Sequence, residues 1–267
     1  YYYYLMDMFG NIPLVTTVNE DTENAEQASR PEVYKFIVKE LQEVAPLLPT
    51  GHSNHAGVYY GCVTRSVANF LLAKLMLNGE VYSDANWTDN QRPDGKQTYF
   101  TVDGQQMNIW QACKHYCDKV TADGFTLAPD YLSNFYVHNE DSPENIFIIP
   151  LDKHLYKSQL QYLFRSRHYS HGGAFGTSSE NGASATVSTV RTFGYGTSHV
   201  DNRYAYNLYS DTVRVDGNII RLENGQPLVY VPLAVEPTLT NSPYIKTAGA
   251  RMAKYEVDRT AFNDGKS

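Results

Sequence analysis

Apolar residues in the first half of the chain recur at helical intervals. After Ser29-Arg30-Pro31-Glu32, a capping-box spacing with proline in the first turn, Val33, Ile37, Leu41 and Val44 mark one face of a helix that Pro46 and Pro49 end. A second helix is predicted from Arg65 to Leu77. Its Val67, Phe70, Leu71, Leu72 and Leu75 cover most of the circumference, as in a helix buried between neighbours, and Asn78-Gly79 supplies the stop. A third, from Gln106 to Ala122, carries Ile109, Trp110, Ala112, Cys113, Tyr116, Cys117 and Val120. Between the second and third lies "EVYSDANWTDNQRPDGKQTYF", polar and rich in turn residues, with Trp87 in its middle. Ahead of them all, "YYYYLMDMFGNIPLVT" reads as the last turns of a helix, with Gly10 or Asn11 as C-cap and Pro13 forbidding continuation. With neither an initiator methionine nor a leader pattern at Tyr1, the chain is expected to be a piece of something longer.

Short connections between amphipathic helices imply antiparallel packing, and successive pairs suggest a helical-repeat solenoid, although the usual repeat consensus is not legible. From about Ala128 the texture changes. "ENIFIIPL" is a compact, strand-like apolar run, and "HGGAFGTSSENGASATVSTVRTFGYGTSH" has no helical period. "DTVRVDGNIIRLENGQPLVYVPL" predicts a small hairpin, because Asp216-Gly217 and Asn224-Gly225 are turn signals. The expected organisation is a mainly α, TPR-like scaffold over 1–127 and a loop-rich part with minor β-hairpins over 128–267. Both belong to one domain that is incomplete at either end.

Composition narrows the functions. A net charge of −7, with 22 lysines and arginines scattered rather than clustered, argues against a nucleic-acid partner. No apolar run approaches the roughly 20 residues that span a bilayer. Three cysteines do not make a disulfide framework, and Cys113 and Cys117, one helical turn apart, hold their Cβ vectors nearly parallel. The informative excess is tyrosine, at 22 residues, whose flat apolar face and terminal hydroxyl suit wet binding surfaces.

Candidate chemistry is sparse. His52 with His55, and His168 with His171, are spaced like half of a zinc site but lack further ligands at diagnostic spacing. In Cys113-Lys114-His115-Tyr116-Cys117 a helical twist turns His115 away from both thiols, so core cysteines are expected. Carboxylate pairs such as Asp141 with Glu144, or Glu40 with Glu43, are explained by helix surfaces and termini. Phosphate-loop, nucleophile-elbow and dinucleotide fingerprints do not occur. Asn86-Trp87-Thr88 matches a glycosylation acceptor, a pattern common by chance. No catalytic residue, metal or cofactor is expected.

Read in order, several segments resemble the SusD/RagB family of outer-membrane nutrient-binding lipoproteins. "YYYYLMDMFGNIPLVT" is similar to that family's aromatic helix end and its phenylalanine-glycine-x-x-proline loop. "RPEVYKFIVKELQEVAPLLP" and "YGCVTRSVANFLLAKLMLN" resemble its next two helices, the latter after a short glycine turn at Gly61. "SPENIFIIP", with Pro143 and Asn145 interrupting the family's order, is followed by "SENGASATVSTV", "DNRYAYNLY" and "GARMAKYEVD" in family sequence. The loop from Glu80 to Gln105 is longer than the family usually has.

The resemblance implies a SusD-like helical scaffold on the extracellular face of the outer membrane, held by a lipid anchor outside this segment. It implies a protein that binds oligosaccharide or polysaccharide without chemistry and passes it to a SusC-like TonB-dependent transporter, as in polysaccharide utilisation. A peptide-binding RagB-like member and an all-helical glycoside hydrolase are the alternatives. Aromatic and polar loop residues suited to stacking on sugar rings nominate Trp87, Tyr169, His171, Phe175, Tyr195, Arg203 and Tyr204 as the binding surface. Arg203 with Asp201 serves equally as a brace, and Tyr204 with Tyr206 equally as core.

Overall fold

The computed structural model describes residues 1–17, 25–136 and 138–150, together with 188, 192, 214, 215, 218 and 219. Of the segments described above, the glycine-rich ones and most of the second half lie outside these residues. Helix α1 (Tyr2–Phe9) ends at Gly10, whose φ of +74° is a left-handed value open to glycine without strain, and whose N–H returns to the Met6 carbonyl. Strand β1 (Ile12–Pro13) then pairs antiparallel with β2 (Gln27–Ala28). The four tyrosines divide their labour. Tyr1 and Tyr4 are exposed, and Tyr3 lies under the Lys74 ammonium at 5.5 Å. The Tyr2 hydroxyl donates to the Val15 carbonyl at 2.6 Å and accepts from the Val15 N–H at 2.9 Å.

Helix α2 (Arg30–Val44) starts as its sequence demands. The Glu32 carboxylate accepts from both the backbone N–H and the hydroxyl of Ser29, and Pro31 occupies the first turn. Those hydrogen bonds hold the Glu32 carboxyl below the usual carboxylate range. Its buried stripe is Val33, Tyr34, Ile37 and Val38, and a 3-10 turn over Ala45–Leu47 closes it at Pro46. Helix α3 (Arg65–Leu77) buries Ala68, Leu72, Leu75 and Met76 but leaves Phe70 and Leu77 exposed, so it is covered on one side rather than all round. Asn78-Gly79 ends α3 as expected, but a second short helix follows at once. Asn78 caps α3 and Gly79 opens a short helix α4 (Gly79–Ser83). A Cβ on Gly79 would stand 2.9 Å from both Ile109 Cδ1 and the Tyr34 hydroxyl, so glycine is required here by close packing.

The stretch read as a loop up to Gln105 ends in structure. Strands β3 (Tyr99–Val102) and β4 (Gln105–Asn108) form a hairpin through Asp103-Gly104, at φ +49° and +78°, the paired left-handed residues of a type I′ turn. Gln106–Asn108, expected as the first residues of the third helix, are strand. Helix α5 (Ile109–Ala122) begins only after Asn108, whose side chain and that of Gln111 cap each other's backbone N–H. Helix α5 packs most extensively on α3, and α3 in turn on α2. The run at 145–150, expected as a strand, has no regular element, and its Phe147 and Ile149 are exposed.

One core joins these elements. Met6, Tyr34, Leu72, Leu75, Met76 and Ile109 are fully buried within it. The Tyr34 ring meets Tyr82 at 5.5 Å and Phe100 at 5.3 Å, and its hydroxyl reaches only the Met76 sulfur, at 3.7 Å. Burial pushes this phenol's pKa well up. Tyr82 donates to the Asp7 carboxylate at 2.6 Å, tying α4 to α1.

The chain divides into two compact units, and everything above lies in the first, Tyr1–Thr126 with Pro143–Ile149, apart from Pro150. In the second, a 3-10 turn over Tyr131–Phe135 is capped by Asp130, which accepts from the Leu132 N–H and the Tyr136 hydroxyl. Strands β5 (Arg214–Val215) and β6 (Asn218–Ile219) pair antiparallel, and the Asp216-Gly217 signal between them in sequence lies outside the described residues.

Tyr34→Ala is expected to cost about 3–5 kcal/mol of stability, as for other buried aromatics. Tyr34→Phe, which gives up one weak O–H···S bond, should cost under about 1.5 kcal/mol. Gly79→Ala should cost about 1–3 kcal/mol by overpacking. Urea denaturation of the three variants reads these values directly.

Candidate functional site

Trp87 is the nominated residue that falls within the described structure, and its loop is built to hold it still. Asp84 is buried and accepts from the Asn86 N–H and from Arg92 Nη1, while its carbonyl accepts from Arg30 Nη2 at 2.8 Å. Arg92 Nη2 donates to the Trp87 carbonyl at 2.8 Å, and Asn86 Oδ1 accepts from the Thr88 hydroxyl. Further along, the Gly95 N–H donates to Glu80 Oε1, and Gly95 lies so close to the Trp110 indole that a Cβ would sit 2.6 Å from its Nε1. The backbone is thus pinned on both sides of Trp87, while its indole stands 69% exposed. A fixed, presented aromatic plane loses little conformational freedom when something flat is laid on it.

The remaining nominated residues, Tyr169, His171, Phe175, Tyr195, Arg203 and Tyr204, lie outside the described residues, as does the His168–His171 pair.

A cavity of ≈ 550 Å³ lies between the end of α2, the first half of α3, the β3–β4 turn and the end of α5. Its polar wall is a set of paired charges. Asp123 accepts from Arg65 Nη2 at 2.9 Å and from the Ser66 hydroxyl at 2.6 Å. In the same lining, Asp103 receives Lys119 Nζ at 2.6 Å, and His115 Nε2 at 2.8 Å. The Lys119 hydrogen bond, seconded by that of His115, holds the Asp103 carboxyl below its usual range. Gln42 Nε2 donates to both the Thr101 carbonyl and the Tyr116 hydroxyl. These residues come from elements far apart in sequence, so spacing did not reveal them. The one local signal was Asn69, a buried amide inside the apolar helix α3.

The histidine and cysteine patterns have structural explanations. His52 and His55 stack face to face at 4.6 Å, His52 also stacks on Phe125 at 4.3 Å, and His52 Nε2 lies 3.1 Å from the Asp123 carbonyl. Among the described residues no three His, Cys, Asp or Glu side chains gather as a metal site would require. The cysteines are not both core. Cys113 is half-buried, and burial followed by the neighbouring Cys117 raises its thiol pKa, whereas Cys117 is exposed because α5 turns that position outward. Glu43 pairs loosely with Lys39 on the exposed face of α2, and Glu40 is likewise exposed.

No family model matches the chain, and no curated protein does. The helices and small hairpins define a mainly α, TPR-like scaffold. Among solved structures, a SusD-like protein from Bacteroides fragilis is similar to it over 95% of this chain and 48% of that one, at 16% identity and a TM-score of 0.50. The chain therefore spans about half the length of that protein, and its fold is SusD-like.

Two tests of the paired charges follow. Asp103 titrates below an unfolded aspartate (about 3.9), so its contribution is full above that value and is lost as pH falls through the folded pKa. Between about pH 5 and pH 3 the wild-type urea midpoint should fall more steeply than that of Asp103→Asn. Asp123→Ala, which strands Arg65 and Ser66 together, is expected to cost about 1–3 kcal/mol in the same assay.

Proposed function

We propose that this chain belongs to a cell-surface protein that binds oligosaccharide or polysaccharide and hands it to a SusC-like TonB-dependent transporter. The observation that carries the reading is Trp87, an exposed indole on a backbone fixed by Arg92, Asp84 and Arg30. Pyranose rings offer C–H faces that stack on such a plane, and their hydroxyls take hydrogen bonds from polar neighbours. The SusD-like fold supports the same reading, as does the sequence resemblance to the SusD/RagB family in segment order. Among the described residues no helix is long and apolar enough to cross a membrane. Attachment to the outer membrane is assigned to a lipid anchor, as that resemblance implies. Binding proceeds without turnover.

Affinity electrophoresis through gels containing a panel of dissolved polysaccharides tests the proposal, with released reducing ends measured in parallel. Retardation by at least one glycan without hydrolysis is expected. Trp87→Ala should weaken that interaction by about 5- to 30-fold, the loss typical of an exposed aromatic anchor. Retardation by none of the glycans together with binding of peptides would assign the surface to peptide cargo, and release of reducing ends would make the protein a hydrolase.

A further inference from the structure

We propose that the cavity between α2, α3, the β3–β4 turn and α5 is a second binding site, for a neutral, hydroxyl-rich small molecule of sugar size. It uses none of the residues around Trp87, so the two readings stand or fall separately. At ≈ 550 Å³ it lies within the range of small-molecule pockets. Among the described residues its charged lining is Arg65 and Lys119 against Asp103 and Asp123, which balance and already pair with one another. A charged ligand would have to break one of those pairs or leave its own charge unmatched in a half-enclosed space. A neutral ligand meets no such cost.

The hydrogen-bonding capacity left after those pairings is mixed. Asn69 is 3% exposed, lines the cavity, and its amide takes part in no hydrogen bond among the described residues. With no partner among those residues and a place in the cavity lining, that amide is open to a ligand that supplies both a donor and an acceptor. Gln42 spends both amide protons on Thr101 and Tyr116, which leaves its carbonyl oxygen as an acceptor. Tyr116 accepts from Gln42 and retains its own proton to donate. Asp103 uses Oδ2 for Lys119 and His115 and keeps Oδ1. Donors and acceptors interleaved around a space match hydroxyl groups, each of which is both. Leu72 and Ala45, one turn from Asn69 and Gln42, add apolar surface suited to a ring's C–H face.

Isothermal titration calorimetry and saturation-transfer NMR of this chain with glucose and galactose, against glucuronate and glucosamine as charged counterparts, provide the test. Saturable binding of a neutral hexose is expected, about fivefold or more tighter than either charged analogue. Asn69→Leu, similar in volume, should weaken it about tenfold or more. Ala122 is exposed at the rim, so Ala122→Trp plugs the mouth without disturbing the core and should do the same even if Asn69→Leu folds poorly. In a Trp87→Ala background, where the surface indole is gone, the hexose binding that Ala122→Trp removes should persist, and its loss there would overturn the proposal. No saturable binding of either neutral hexose, a preference for a charged analogue, or hexose binding unaffected by Ala122→Trp would overturn the proposal.

Discussion

The Asp123 carboxylate is the point on which the helical unit closes. It follows the last turn of α5 and reaches the first turn of α3, taking hydrogen bonds from Arg65 and Ser66, while its carbonyl meets His52. The start of one helix is thereby locked to the end of the other, so α3 and α5 run antiparallel. A negative charge opposes the dipole of the helix it ends but favours the one whose beginning it touches, and Lys119 in the last turn of α5 offsets the first effect. Thr64, the N-cap of α3, makes no capping bond, and that helix start depends on contacts brought from a distance. This clamp and the Asp103–Lys119 pair both line the cavity.

Tyr34 plays the corresponding part in the interior. It sits where α2, α4 and the β3–β4 hairpin converge, and the absence of a side chain at Gly79 makes room for its hydroxyl. An abundance of tyrosine that reads as a binding-surface signature is therefore partly structural. Tyr2, Tyr34, Tyr82 and Tyr116 each spend the phenol on fixing a neighbouring element. Trp87 is different, because only its backbone is held.

The helices were legible where local chemistry and apolar period agree. The Ser29–Glu32 box, the Gly10 stop and the Arg65–Leu77 span lie where the residues put them. The β3–β4 hairpin was missed because β4 is polar, and its Gln106–Asn108 continues smoothly into the helical rhythm of α5. The Asp103-Gly104 signal was present, of the same kind as Asp216-Gly217. Asn78-Gly79 ends α3 where it was expected to, but Gly79 is there for tight packing and opens α4, so the signal did not reveal the short helix that follows. Of the proposed binding surface, Trp87 was legible as an aromatic in a polar loop. The cavity was not, since its walls are side chains on four elements that only folding assembles.

A last consequence attaches to Tyr2. The β1–β2 ladder is two residues long, and Pro13 brings no N–H to it. Just beyond, Val15 has both its main-chain groups occupied by one phenolic oxygen. A ring thus takes the place of the next strand residue, and an extended segment of another molecule finds nothing to zip onto there. The aromatic opening of the chain doubles as protection against edge-to-edge aggregation.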